Sequence, residues 1–142
     1  NDYTISKKTQ YRVYMDSKEA SEFLKNYDIN NIKTAPKKIK SAFLKGFFDS
    51  EGSASREIGL ACFNTDYSLV LIVKELLQTL GIFCTITISK IRPIWPYTGK
   101  EEIYRVNIHR KESIIKFYDF IGFTISRKQE RLINQIDNML WR

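Results

Sequence analysis

The stretch 37–52 places apolar and small residues at helical spacing before a cluster of polar residues that includes two carboxylates. The recurring positions are Ile39, Ala42, Phe43, Gly46 and Phe47. This periodicity predicts an amphipathic helix over residues 37–49. Ala42 and Gly46 lie one turn apart, and small residues at that spacing let a second helix approach closely. The helix therefore has a face suited to packing against another helix.

Asp49, Ser50, Glu51 and Gly52 end this helix in the sequence. Gly52 is predicted to stop it in the left-handed conformation that glycine adopts readily. Glu51 is then held at the foot of the small-residue face. From the spacing alone, a buried helix that ends in an ordinary surface carboxylate is the favoured interpretation.

The composition indicates one domain with a polyanionic partner. The chain has 142 residues, 43% of them hydrophobic, with a formal charge of +7 and a pI near 9.4. A basic surplus of this size favours nucleic acid, although many basic proteins have no such partner. No apolar stretch approaches the roughly 20 residues that cross a bilayer, and no signal peptide is visible. We expect no membrane association and an intracellular, not secreted, location.

The cysteine and histidine content argues against zinc. Cys62 and Cys84 fall on the apolar side of strand-like runs, which predicts buried, reduced thiols. With His109 as the single histidine, these residues are too few for an ordinary zinc site.

Alternating and helical patterns follow one another along the rest of the chain, which predicts a mixed α/β (α+β) fold. Helices are expected at 64–81, where Asn64 or Thr65 caps the start and Gly81 ends it, around 114–120 and around 132–140. Strands are expected at 58–63, after a tight reversal from Ser53 to Glu57, and at 84–89 and 104–109. Pro93 and Pro96 break the sheet in the loop 92–101.

One face of the predicted strands carries hydrogen-bonding side chains in place of apolar ones: Thr85, Thr87, Ser89, Arg105, Asn107 and His109. Such a face can read base edges in a DNA major groove. An ordinary solvated antiparallel face is an equally good interpretation. Phosphate contacts are assigned to cations at its margins, Lys90, Arg92, Lys100 and Arg110, with Lys7, Lys8 and Arg12 at the other end. Ser55, in the predicted reversal, joins the DNA-binding set.

A weak internal repeat points to two related halves. Tyr11-Arg12-Val13 recurs as Tyr104-Arg105-Val106, and Lys18-Glu19 recurs as Lys111-Glu112, each 93 positions later. We therefore expect residues 1–41 to be the end of a first repeat and residues 42–142 to be a complete second one. Coincidence between common residues is the alternative.

Residues 44–52 resemble the nine-residue signature of the LAGLIDADG homing endonucleases, with Leu44, Gly46, Phe47, Phe48, Asp49 and Gly52 at matching positions and Glu51 at the final acidic one. The resemblance implies two signature helices packed together, each followed by an antiparallel four-stranded β-saddle. The chain resembles a double-motif member that lacks the first part of its N-terminal half. A second half would then be a missing segment, a second chain or the partner in a homodimer.

The same resemblance implies the site. Glu51 would be a metal-binding acid aided by the Ser50 carbonyl, Asp49 would close the helix end, and Mg²⁺ or another divalent cation such as Mn²⁺ would be the cofactor. Lys128 stands where the family carries a lysine that stabilises charge on the phosphate, and Arg127 would contact a phosphate. The alternative for both is a pair of solvated charges in a helix's first turn.

The function implied is site-specific cleavage of double-stranded DNA at a long target, as in intron-encoded endonucleases, although intron or intein origin stays open. An RNA maturase or DNA-binding regulator of the same fold, without cleavage, is the alternative. Glu51 speaks against it, because a protein that only binds DNA gains nothing from a carboxylate that repels phosphates. An unrelated basic α/β protein is the third possibility.

Overall fold

The computed structural model describes Lys18, residues 26–91 and residues 101–140. A 3₁₀ helix, Ile29–Thr34, precedes helix α1, Lys37–Glu51. There follow β1 (Gly52–Ala54), β2 (Leu60–Asn64), α2 (Tyr67–Thr79), β3 (Thr85–Ile91), β4 (Glu101–Ile108), α3 (Lys111–Phe120) and α4 (Ser126–Leu140). The fold is mixed α+β, as the sequence predicts.

The predicted first repeat, residues 1–41, falls largely outside the described residues, and so does most of the proline-containing loop 92–101. The division of the chain into two repeats therefore stays a prediction.

Helix α1 ends differently from the prediction. The backbone N–H of Gly52 donates to the Phe48 carbonyl, but Gly52 itself is extended, with φ −99° and ψ 164°. The predicted left-handed stop is wrong, because the chain passes from the helix straight into β1. Glycine is needed here for space: a Cβ at this position would lie 2.6 Å from the Phe48 carbonyl oxygen.

The sheet is four-stranded and antiparallel throughout, in the order β1-β2-β4-β3. Its register aligns Ser53, Ala61, Asn107 and Thr85 in one row across the strands. The neighbouring row is Phe63, Arg105 and Thr87. Strand β1 was not predicted, since three residues are too few to show an alternating pattern.

Helix α2 begins and ends by local hydrogen bonds. The carboxylate of Asp66 accepts from the N–H of Leu69 at 3.3 Å and caps the helix, so the predicted caps Asn64 and Thr65 are wrong. Asn64 instead accepts from the N–H of Asp66 at 2.8 Å. Gly81, with φ +76°, ends the helix as predicted.

The core lies between the helices and one face of the sheet. Phe48 of α1 is fully buried, with its ring centroid 4.8 Å from that of Phe117. Cys62 and Cys84 are buried free thiols, as predicted, and burial raises their pKa to about 12 and about 11. Ile88 was predicted to face the core but is 59% exposed, since residues 87–90 of the edge strand β3 are all exposed.

None of the helices in the described part of the chain is long and apolar enough to span a bilayer.

Truncation of Phe48 should destabilise the fold severely. We expect Phe48→Ala to lower the free energy of unfolding by about 3 to 5 kcal/mol, because it opens a cavity at the centre of the aromatic cluster. Tyr118→Ala, at a 43% exposed position, is the control and should change stability by no more than about 0.5 kcal/mol. Urea denaturation measures both variants, and equal losses would contradict the central position of Phe48.

Candidate functional site

Glu51 is the last residue of α1, and it is exposed. The C-terminal end of a helix carries partial negative charge from its unpaired carbonyls. A carboxylate at this position adds to that charge. The arrangement is therefore unfavourable by itself and favourable for a bound cation.

Lys128 lies at the same end of α1, although it is 77 positions away from Glu51 in the sequence. Its Nζ donates to the backbone carbonyl of Asp49 at 2.6 Å and to that of Phe48 at 3.3 Å. The ammonium group thus caps the helix and offsets the negative end of its dipole. The structure brings Lys128 and Glu51 together, and Lys128 is not the freely solvated charge of the alternative interpretation.

The groups around Lys128 shift its pKa in opposite directions. Desolvation lowers the pKa of Lys128 below the ordinary lysine value of 10.5, and the carboxylate of Asp49 acts against it. The nearby Arg127 adds to the lowering, and Glu51 opposes it. Glu51 is therefore close enough to interact with the ammonium group.

Asp49 ties the end of α1 to the segment that precedes α4. One of its carboxylate oxygens accepts from the N–H of Thr124 at 2.9 Å. Ser50 folds back on the helix, where its hydroxyl donates to the carbonyls of Phe47 at 3.1 Å and Gly46 at 3.2 Å. Glu51 is consequently the carboxylate of this end that projects into solvent.

The outer face of the sheet, opposite the core, carries exposed polar side chains at most of the predicted positions. Thr85, Thr87, Ser89, Lys90, Arg105 and His109 are exposed, and so is Ser55 in the turn between β1 and β2. Arg127, in the first turn of α4, and Arg110 are exposed too. Five predicted phosphate contacts, Lys7, Lys8, Arg12, Arg92 and Lys100, lie outside the described residues.

Asn107 departs from the expectation for this face. It lies on the outer side, between Ala61 and Thr85 of the flanking strands, but is only 4% exposed. Its amide nitrogen donates to the Thr87 hydroxyl at 3.1 Å. The amide nitrogen of Asn107 is thus engaged with Thr87, and the assignment of Asn107 to base recognition stays a prediction.

Phe63 is an outer-face residue that the sequence analysis did not assign to the DNA-binding set. It is 39% exposed, stands opposite Arg105 in the β2–β4 register, and has the Arg105 guanidinium 5.3 Å from its ring centroid. The alternation of β2 already placed Phe63 on this face. An aromatic ring beside an arginine restricts where the guanidinium points.

One side of α1 is bare. Ile39 is 50% exposed, and Ala42 and Gly46 on the same side are exposed as well. A Cβ added at Gly46 would meet no atom within 4 Å. No contact within the described part of the molecule requires a glycine at this position.

The sequence profile of the LAGLIDADG-like domain matches residues 38–122, more than half of the chain. The chain belongs to the LAGLIDADG family. The matched segment contains α1 except for Lys37, all four strands of the sheet and the whole of α3. Family membership therefore rests on the elements that carry Glu51 and the outer face of the sheet.

A relative of unknown function aligns with most of the chain. The uncharacterised protein MJ0398 of Methanocaldococcus jannaschii is 36% identical over 141 residues, which cover 94% of this chain and 51% of that protein. The LAGLIDADG chain thus spans about half the length of this curated relative.

The oxygen donors at the end of α1 fit part of a divalent-metal site. Mg²⁺ prefers oxygen ligands and keeps several waters, so one carboxylate and one carbonyl can supply the protein ligands that one chain contributes. The carbonyls of Phe48 and Asp49 accept hydrogen bonds from Lys128. The carbonyls of Ser50 and Glu51 are the other two acceptors of the last helical turn. Within the described ranges no group of three or more His, Cys, Asp and Glu gathers for a metal. A cation bound here would complete its coordination with waters and with groups outside the described residues.

The balance at Lys128 gives a testable pH dependence. We expect its ε-ammonium, followed by NMR titration, to have a pKa below 10.5 because desolvation outweighs the carboxylates. The unfolded chain then binds more protons between the two pKa values, so the free energy of unfolding rises with pH across that window. In Lys128→Met this rise should be absent. A Lys128 pKa above 10.5 would show that Asp49 and Glu51 dominate.

Proposed function

We propose that this LAGLIDADG chain forms one half of a site-specific endonuclease that cuts double-stranded DNA with a divalent cation. The observation that carries the proposal is the open end of α1, where Glu51 projects into solvent beside the Lys128 ammonium and the bare side of the helix. A carboxylate, a cation and an unpaired helix face meet there, and a purely DNA-binding protein gains nothing from that carboxylate.

Glu51 and the Ser50 carbonyl would hold the cation, Mg²⁺ or Mn²⁺. When bound, such an ion lowers the pKa of a coordinated water and neutralises charge on the leaving oxygen. Lys128, fixed by two backbone carbonyls, would place its positive charge beside the scissile phosphate. Arg127, exposed one residue earlier, would bind a neighbouring phosphate.

The outer face of the sheet would recognise the DNA sequence. Arg105 can donate two hydrogen bonds to guanine, and the hydroxyls of Thr85, Thr87 and Ser89 can donate or accept. Lys90 would contact phosphates, with His109 at the opposite end of the face. A net charge of +7 supports tight, salt-dependent association with the duplex.

A second LAGLIDADG half would complete the enzyme. It would pack on the bare side of α1, against Ile39, Ala42 and Gly46, and would bring its own carboxylate for the other DNA strand. We propose that this half belongs either to a longer chain or to a second copy.

Replacement of the projecting carboxylate tests the catalytic proposal. In the assembled protein, Glu51→Gln should lower the rate of plasmid-library linearisation in Mg²⁺ by at least about 100-fold, more than loss of an outer partner of a metal site costs. DNA binding should be kept or tightened, since a charge that repels phosphate is gone.

Glu112→Gln, which removes an exposed carboxylate at the start of α3, is the matched control and should cut normally. Cleavage by Glu51→Gln at the wild-type rate would refute the site. A wild-type protein that binds selected duplexes but cuts none in any divalent cation would favour the non-cleaving maturase or regulator.

Substitution in the small-residue face tests the pairing. Gly46→Leu should leave the isolated chain folded, and more stable by up to about 1 kcal/mol, because leucine favours helix and the site is open. Pairing and double-strand cleavage should both be lost, since a second helix can no longer approach. Gln78→Leu, at an exposed position of α2, is the control. Sedimentation and linearisation in one buffer measure both, and a Gly46→Leu protein that pairs and cuts would contradict the proposal.

A further inference from the structure

The turn between β1 and β2, residues 55–59, is held closed by its own hydrogen bonds. The N–H of Ser55 donates to the carbonyl of Gly59 at 3.1 Å. The Ser55 hydroxyl donates to the carbonyls of Glu57 at 2.8 Å and Gly59 at 3.2 Å. These bonds bring the two ends of the turn together and leave Arg56 exposed between them.

Gln135 of helix α4 forms hydrogen bonds with the same turn from the core side. Its side chain is part of a residue only 2% exposed. The amide oxygen accepts from the N–H of Gly59 at 3.0 Å, and the amide nitrogen donates to the carbonyls of Ser55 at 2.7 Å and Gly59 at 3.0 Å. One buried amide therefore bonds both ends of the turn.

On the outer side, the turn forms one wall of a cleft of about 280 Å³. The polar residues that line it are Ser53, Ser55, Arg56, Glu57, Arg105 and His109. Arg105 and His109 belong to the face assigned to base recognition, so Arg56 extends that face beyond the end of the sheet. The position of Arg56 depends on the conformation of this turn.

We propose that Gln135 is a positioning residue for DNA recognition, which fixes the turn 55–59 so that Arg56 joins Arg105 and His109 in reading base pairs at this cleft. The inference rests on the proposed function and adds a specificity determinant that does not touch DNA. A buried amide bonded three times holds the turn in one conformation before DNA arrives. Recognition then costs little ordering of the loop.

The physical consequence is local. Without the Gln135 bonds, the turn keeps only its internal hydrogen bonds, and Arg56 samples several directions. A mobile arginine still attracts phosphates but no longer holds the two-donor geometry that distinguishes guanine. Discrimination should fall at the base pairs under the cleft, while attraction to DNA in general stays.

Selection from a pool of randomised duplexes tests this in the full chain as it assembles on DNA. Binding preferences are compared position by position for wild type, Gln135→Met, Gln135→Glu and Arg56→Ala. We expect Gln135→Met and Arg56→Ala to lose preference by about tenfold at the same few adjacent base pairs. Gln135→Glu, which keeps the acceptor for Gly59 but loses both donors, should fall between wild type and Gln135→Met.

The control is Ser113→Ala, at a buried position of α3. The Ser113 hydroxyl accepts a hydrogen bond from the N–H of Phe83 at 2.9 Å, and the substitution removes this bond. It should lower stability without altering the base preferences. In an Arg56→Ala background, Gln135→Met should have no additional effect on specificity, because the amide acts through the arginine.

The outcomes separate the two proposals. A wild-type protein that selects no sequence refutes the proposed function itself. Selection by wild type, with unchanged preferences in Arg56→Ala, overturns the inference about the turn even if the Gln135 variants fail to fold, since exposed Arg56 can be replaced without harm to the core. Uniform weakening at all base pairs in Gln135→Met would assign Gln135 a structural role only.

Discussion

The attachment of α1 to the segment around the start of α4 is the interaction on which the site depends. The Lys128 ammonium bonds the last carbonyls of α1, and the Asp49 carboxylate bonds the N–H of Thr124. Helix α4 supplies a cation for the C-terminal end of α1, and α1 supplies a hydrogen-bond acceptor for the backbone segment before α4. Glu51 is therefore held in place by residues far away in the sequence.

The exposed side of α1 and the sheet meet at this attachment. The bare side of α1 runs down to Glu51, and β1 begins at the next residue, Gly52, without an intervening loop. No loop separates the helix end from the sheet, and the close approach of Gly52 to the Phe48 carbonyl leaves no room for a side chain there. We propose that a duplex on the outer face of the sheet has its backbone near Glu51.

The sequence predicts most of the elements, since periodicity reports which side of an element is buried. It places α1, the apolar side of β2 and β4, the buried cysteines and the stop at Gly81 correctly. It fails where the local sequence does not determine the structure. Strand β1 is too short for a pattern, and Asp66 is one of several possible caps for α2. The conformation of Gly52 is determined by the passage of the chain into a strand. The proximity of Lys128 to Glu51 came from family resemblance, because no local pattern relates residues on α1 and α4.

The differences between the predicted and the observed contacts of Asn107 and Gln135 also arise from long-range contacts. Alternation correctly assigns Asn107 to that side, but only the register shows that it lies between strands and bonds Thr87. Gln135 reads as one polar residue in an amphipathic helix, and nothing in the sequence signals that it bonds a turn 76 positions away. Buried polar residues of this kind are visible only in the folded chain.

We propose that a divalent cation and a DNA phosphate meet at the end of α1. Paramagnetic broadening by Mn²⁺, measured by amide NMR on the assembled protein bound to a selected duplex, tests it most directly. We expect the signals of residues 49–53 and of Lys128 to broaden first, at the lowest Mn²⁺ concentration, and excess Ca²⁺ to restore them. Broadening centred on other carboxylates, such as Asp119 or Asp137, with the Glu51 region unaffected, would contradict it.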